Sequence, residues 1–238
     1  MVSLKAELLI AAASDLRFAM DELIAEFANG DTNARPKVVY GSSGNFYAQI
    51  MNDAPFDLFL SADASYPRQL IAAGKGKKDD FFLYALGRLV VWVPKGSPIK
   101  VEGLQIEALF DGTVKKIAIA NPEHAPYGRA TVAAMKKLGV YDRVSARLVF
   151  GENIAQTAQF IESGNAQIGI IAYSLAIAPK MKESGRFWEI PLDAFPRLEQ
   201  GGVVLATAKN PIAAREFRKF MMSGRGQQIL KTYGFILP

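Results

Sequence analysis

The chain has 238 residues, 50% of them hydrophobic and 21% charged, with 28 Lys plus Arg against 23 Asp plus Glu and a formal net charge of +5. A chain of this length and apolar content builds two modest domains or one large one and is not disordered, and its scattered cations exclude a nucleic-acid surface. It contains no cysteine, which excludes thiol catalysis, disulfides and thiolate metal sites, and no apolar run approaches the ~20 residues that cross a bilayer.

Met1-Val2-Ser3-Leu4-Lys5 is not a signal peptide, because a strand begins almost at once. The expectation is therefore a cytoplasmic protein or an exported one whose signal has been trimmed. Residues 8–12 read as that first strand. Residues 16–28 follow as a helix, with Leu16, Ala19, Met20, Leu23, Ile24 and Phe27 on one apolar face. Strands at 38–40 and 56–60 alternate with helices at 46–51 and 64–73, the last ending at Gly74. This is the pattern of a parallel, doubly wound sheet. Lys75-Gly76-Lys77-Lys78, followed by Asp79-Asp80, reads as a solvated loop.

Residues 88–94 are β-rich, end at Pro94 and lead into a second α/β unit, where the segments 104–110, 116–120, 130–138, 147–150, 154–163 and 168–173 continue the alternation. A strand at 200–206 and helices at 211–222 and 226–233 close the chain, with Pro211 suited to a first helical turn. The chain crosses between units near 83–87 and again near 198–202. The expected domains are residues 1–84 with 201–238, and residues 85–200. Two adjacent connections make a hinge, and hinge closure around a ligand is a standard switching mode.

Four small polar turns stand where a strand run meets a helical pattern: Ala11-Ala12-Ala13-Ser14-Asp15, Gly41-Ser42-Ser43-Gly44-Asn45, the stretch from Asn121 to Gly128, and Gly151-Glu152-Asn153-Ile154. A helix N-terminus leaves N–H groups without partners and carries partial positive charge, so several converging on one point hold an anion without a basic side chain. Ser14 reads two ways, as a hydroxyl donor to an anion with the Asp15 N–H beside it, or as an ordinary N-cap. The Asp15 carboxylate itself suits the helix start rather than the anion. Gly41-Ser42-Ser43-Gly44 reads as a capped turn or as a second donor. It is no phosphate-binding P-loop, since no Lys follows the glycines. Pro122 and Pro126 stiffen the third turn and preorganise the Tyr127 N–H. His124, the one histidine, has no ligand set around it in sequence and takes a structural role near the turn. Tyr173 reads as rim packing or as a hydroxyl at the site. Trp92 and Trp188 read as core or lobe-edge aromatics, not as a sugar-stacking platform.

Together with Ala54-Pro55-Phe56-Asp57-Leu58-Phe59-Leu60-Ser61-Ala62-Asp63 and the closing Tyr233-Gly234-Phe235, these turns resemble the substrate-binding proteins of molybdate ABC transporters over nearly the whole chain. The resemblance implies an α/β, two-lobed, type II periplasmic binding protein fold. Each lobe would hold a mixed, mostly parallel sheet, with a two-segment hinge and the oxyanion in the cleft. It implies hydroxyl and backbone donors from Ser14 and Ser43, a backbone donor from Asp15, and backbone N–H groups from Tyr127 and Ile154. One branch of the family uses a Tyr hydroxyl where this chain has Ala172, with Tyr173 one residue later, so that contact is not carried over.

The implied protein is not an enzyme. It is a periplasmic or lipid-anchored monomer that binds molybdate or tungstate, uses no cofactor, touches no nucleic acid and delivers its ligand to permease subunits. Molybdate is a tetrahedral dianion that only accepts hydrogen bonds, and neutral donors suit it. Cavity size would separate it from sulfate, and the lack of an acceptor would separate it from hydrogen phosphate. Tungstate would not be distinguished. The alternatives are a sulfate or phosphate receptor, a ligand-sensing domain of the same fold, and a hydrolase with Ser14 or Ser43 as nucleophile. No DNA-binding motif and no G-x-S-x-G elbow supports the last two.

Overall fold

The computed structural model describes residues 6–30 and 34–238; Met1-Val2-Ser3-Leu4-Lys5, read above as no signal peptide, lies outside them. The chain divides into two compact units, Met1–Leu86 with Glu199–Pro238, and Gly87–Leu198. The first unit begins with β1 (Ala6–Ala13), α1 (Arg17–Asn29), β2 (Ala34–Gly41), α2 (Ser43–Met51), β3 (Leu58–Ser61), α3 (Ser65–Ala72) and β4 (Gly76–Gly87). The second runs through β5 (Leu89–Pro94), α4 (Val101–Leu104), β6 (Ile117–Ala120), α5 (Pro126–Lys137), α6 (Tyr141–Val144), β7 (Leu148–Gly151), α7 (Ile154–Glu162), β8 (Ile168–Ala172), α8 (Tyr173–Ala176), α9 (Pro179–Ser184) and β9 (Gly185–Glu189). β10 (Leu198–Leu205), α10 (Pro211–Met221) and α11 (Gly224–Thr232) complete the first unit.

The first sheet is five-stranded in the order β2-β1-β3-β10-β4. β1 lies parallel to β2 and β3, and β10 runs antiparallel to β3. Both faces are covered, as a sheet with parallel strands requires. Leu8, Ile10, Leu58 and Leu60 pack on one side with Met20, Leu23, Phe27 and Phe217. The intervening Ala11 and Phe59 pack on the other with Phe46, Ile50 and Leu70. Phe59 is fully buried, a side chain whose burial contributes roughly 1.5–3 kcal/mol.

The second sheet is also five-stranded, ordered β7-β6-β8-β5-β9. β6 is parallel to β7 and β8, and β5 is antiparallel to β8 and β9. Its central strands β5, β6 and β8 are buried almost throughout, Trp92 included.

The register sets the position of the turns. Ala13 at the end of β1 sits opposite Gly41 at the end of β2. In the second unit Ala120 at the end of β6 sits opposite Gly151 at the end of β7. Each unit thus releases two turns side by side from the carboxyl ends of adjacent parallel strands, where ligands of α/β sheets bind.

Two stretches differ from the sequence reading. The cationic segment after Lys75 is not a loop: β4 starts at Gly76. Lys77, Lys78 and Asp79 face solvent at the edge of the sheet, where charge guards against strand addition. Asp80 is buried and takes both nitrogens of an Arg215 fork at 2.8 and 2.9 Å. β9 was not expected at all. Its five residues are each half-buried, so no apolar alternation marks it.

Candidate functional site

Ser14 leaves β1 in a short 3-10 turn, Ser14–Leu16, that runs on into α1. Ala13 holds the cap position there and no side chain makes a cap hydrogen bond, so Ser14 is not an ordinary N-cap. Ser14 is 2% exposed and Asp15 1%. The Asp15 carboxylate lies in the first turn and also reaches across the unit. Its Oδ2 accepts a 2.6 Å hydrogen bond from the side-chain amide of Gln200, a fully buried residue of β10 that sequence reasoning placed only in a strand. Tyr84 of β4 donates to the Ser61 carbonyl at 3.0 Å. Burial first, and then the negative charge of Asp15, push its phenol well above the ordinary value.

In the second turn of this unit, Ser42 holds the cap position of α2, with φ −82° and ψ 145°, yet makes no cap bond. Its hydroxyl oxygen is buried and has no hydrogen-bond partner. Ser43, the first residue of α2, is fully buried. Its Oγ accepts the Ala62 N–H at 3.0 Å. That bond occupies one lone pair and turns the hydroxyl proton away from Ala62, leaving it to donate elsewhere.

In the second unit, Pro126 opens α5 and brings no N–H, while the N–H groups of Gly128 and Arg129 both go to the Ala125 carbonyl at 3.0 and 3.1 Å. Tyr127 sits between them in the first turn, 2% exposed. A Cβ on Gly128 would lie 2.2 Å from the Ala120 carbonyl oxygen, so only glycine lets α5 start this close to the end of β6. Asn153 caps α7, its carboxamide oxygen accepting from Ala155 and Gln156 at 3.0 Å each. The Ile154 N–H is the first-turn donor that this cap does not use. Ile154 is 3% exposed.

His124 joins these two turns: its Nε2 lies 3.0 Å from the Glu152 carbonyl oxygen. Tyr173 is half-buried, with the Arg88 guanidinium 3.9 Å over its ring and Phe187 edge-on at 5.6 Å. Trp188 pairs with Val91 in the sheet. Among the described residues no group of three or more His, Cys, Asp and Glu is placed to hold a metal ion, and no helix is long and apolar enough to cross a membrane.

Both units therefore present buried donors at the carboxyl ends of paired parallel strands. Residues 8–236 match the model of the bacterial extracellular solute-binding proteins. The chain belongs to that family. It is 35% identical over 230 residues to the molybdate-binding protein ModA of Rhodobacter capsulatus, covering 97% of this chain and 88% of the relative. Its fold matches that of the periplasmic molybdate-binding protein of Azotobacter vinelandii with a TM-score of 0.90 and 30% identity, covering 97% and 99% of the two chains. The sulfate-binding protein SubI of Mycobacterium tuberculosis shares the fold at a TM-score of 0.78 and 16% identity, with 98% of this chain and 87% of that one covered. The expected periplasmic binding protein fold is thus the observed one: two mixed sheets, each flanked by helices.

Proposed function

We propose that this solute-binding protein captures molybdate, and equally tungstate, outside the cytoplasm and hands it to the permease of an ABC transporter, without catalysing a reaction. The ligand-binding residues are assigned as Ser14 and Ser43, through hydroxyl and backbone donors, and Asp15, Tyr127 and Ile154, through backbone N–H groups. The observation that carries the reading is the Ser43–Ala62 bond at 3.0 Å. It uses one lone pair of a fully buried hydroxyl at the start of α2 and leaves its proton to donate, which suits a ligand that only accepts.

Chemistry supports the same choice. The five residues are buried to 3% exposure or less, and four of them are uncharged. A hydrogen bond to a charged group contributes about 1.5–3 kcal/mol. A handful of them yields roughly micromolar or tighter binding after ordering costs. The relatives named for molybdate binding align along nearly the full chain. The protein acts as a periplasmic monomer in this reading, free or lipid-anchored.

The test is a thermal melt with molybdate, tungstate, sulfate and phosphate in turn. Molybdate or tungstate at ~1,000 times its dissociation constant adds about 4 kcal/mol of stability. Ser14→Ala and Ser43→Ala each weaken binding while the chain stays folded. A melt unmoved by millimolar molybdate, or normal binding by both variants, overturns the assignment.

A further inference from the structure

We propose that His124 is a positioning residue that sets the span between the two donor turns of the second unit, and thereby the size of oxyanion the site prefers. The inference rests on the oxyanion reading above. Its basis is a set of short bonds within one unit. His124 lies in the turn that leads to Tyr127, and Glu152 lies in the turn that leads to Ile154. The His124 Nε2 is 3.0 Å from the Glu152 carbonyl oxygen. A carbonyl only accepts, so this nitrogen carries the proton and donates.

Glu152 is also held through the peptide group that precedes it. The Glu152 N–H donates to the Gln156 Oε1 at 2.6 Å. Next to it, the Asn121 N–H donates to the Gly151 carbonyl at 2.8 Å, which extends the β6–β7 ladder to the base of both turns. The Asn121 side chain braces the first turn by accepting from the Glu123 N–H at 3.0 Å. The two turns are thus joined at the base by a backbone bond and at the rim by the imidazole. When the His124 bond is removed, the first-turn N–H groups of Tyr127 and Ile154 separate more freely.

The carboxylate of Glu152 is a lesser part of the contact. Its Oε1 is 3.6 Å from Nε2, and its side chain is 56% exposed. The carbonyl bond, not the ion pair, holds the turns.

A fixed span matters for selectivity because molybdate and sulfate accept the same bonds and differ in size. A loosened pair of donors loses the larger, better-fitted ion more than the smaller one, which fits poorly in either case. The experiment titrates the full chain and four variants, His124→Ala, His124→Gln, His124→Phe and Glu152→Gln, with sodium molybdate and sodium sulfate by calorimetry, and records ligand-free melts. Wild-type binding of molybdate is required first. If the wild type binds none of molybdate, tungstate, sulfate and phosphate, the oxyanion reading itself has failed.

Given wild-type binding, His124→Phe and His124→Ala lose about tenfold in molybdate affinity and less than about threefold in sulfate affinity, the scale of one neutral hydrogen bond. His124→Gln, which keeps a donor of similar reach, stays within about threefold of wild type for both ions. Glu152→Gln, which keeps the carbonyl, binds as wild type. The Phe and Gln variants have similar bulk and differ in the donor, so their comparison decides the matter even if the Ala variant does not fold. Unchanged molybdate-to-sulfate preference in His124→Phe, equal losses in the Phe and Gln variants, or a lower melt with unaltered affinities each overturn the proposal.

Discussion

Gln200 and Asp15, 185 residues apart in sequence, meet in a 2.6 Å hydrogen bond inside the first unit. The amide turns the carboxylate toward β10 and leaves the Asp15 backbone in the 3-10 turn beside Ser14. The Asp15 carboxyl is thus buried next to residues assigned to a dianion, and its charge adds to burial in raising the Tyr84 phenol. Asp15→Asn keeps an acceptor for the Gln200 amide and removes the charge. We expect it to bind molybdate about three- to tenfold more tightly, since a nearby like charge opposes a dianion. The gain shrinks as salt is added. Calorimetry at two ionic strengths reads this directly, and equal or weaker binding by the variant counts against an anion at that turn.

The neighbouring serines of α2 respond in opposite ways. Ser42 has a buried hydroxyl without a partner, so Ser42→Ala removes a desolvated group that gains nothing from folding. Its ligand-free melt stays level or rises, by up to about 1 kcal/mol of stability. Ser43→Ala strips the acceptor from the Ala62 N–H and costs about 1–3 kcal/mol, the penalty for a buried donor left unmade. Ligand-free melting curves of the two variants compare them. A Ser43→Ala melt no lower than that of Ser42→Ala excludes a structural share for the Ala62 bond.

What the sequence made legible follows from how local each signal is. The apolar spacing of Ala19, Met20, Leu23 and Phe27 marks α1, and all four are buried. Pro126 and Pro211 mark the first turns of α5 and α10, because a missing N–H does no harm there. Asn153 was legible only as part of a polar turn, and the structure makes it the cap of α7. The serine caps were legible as turns but not in their use, since Ala13 and not Ser14 holds the cap position of its turn and Ser42 makes no cap bond. That depends on what the rest of the unit brings to them. The charged start of β4 was lost because an edge strand shows solvent a polar run that reads as a loop. Gln200 was lost for a plainer reason: its partner lies at the far end of the chain, and no spacing rule connects them.

Gly128 and Gly151 test the backbone side of the site. A Cβ on Gly128 meets the Ala120 carbonyl oxygen at 2.2 Å, and one on Gly151 meets the Thr157 side-chain oxygen at 2.5 Å and backbone nitrogen at 2.7 Å. Neither backbone atom can swing aside as a flexible side chain would. Gly128→Ala therefore pushes α5 off the end of β6, and Gly151→Ala pushes α7 off the end of β7. Each should cost about 1–3 kcal/mol, the range for forced overpacking, and lower molybdate affinity as well. Melting and titration of the same samples check both effects. Full affinity in Gly128→Ala would remove the α5 first turn from the site.

Acid stability reports on a pair far from the turns. Asp80 is held below the usual carboxylate range chiefly by its hydrogen bond to Arg215, against a burial effect that raises it. The pairing is bidentate at 2.8 and 2.9 Å. With a depressed pKa in the folded chain, the unfolded chain takes up the proton first as pH falls. The stabilisation is therefore complete above the ordinary carboxylate pKa of about 4 and fades below it, toward the lowered folded value. Asp80→Asn loses the ion pair at every pH. We expect a loss of about 1 kcal/mol at pH 7, the modest end of the range because the Arg215 side chain is about half exposed to solvent, which lowers the melting temperature by about 2–4 °C for a chain of this size. The gap between wild type and variant narrows as pH is taken from 7 toward 3, because the unfolded wild-type chain then gains a proton that the folded chain takes up only at lower pH. A gap that stays constant across that range assigns the effect of the substitution to packing instead of charge.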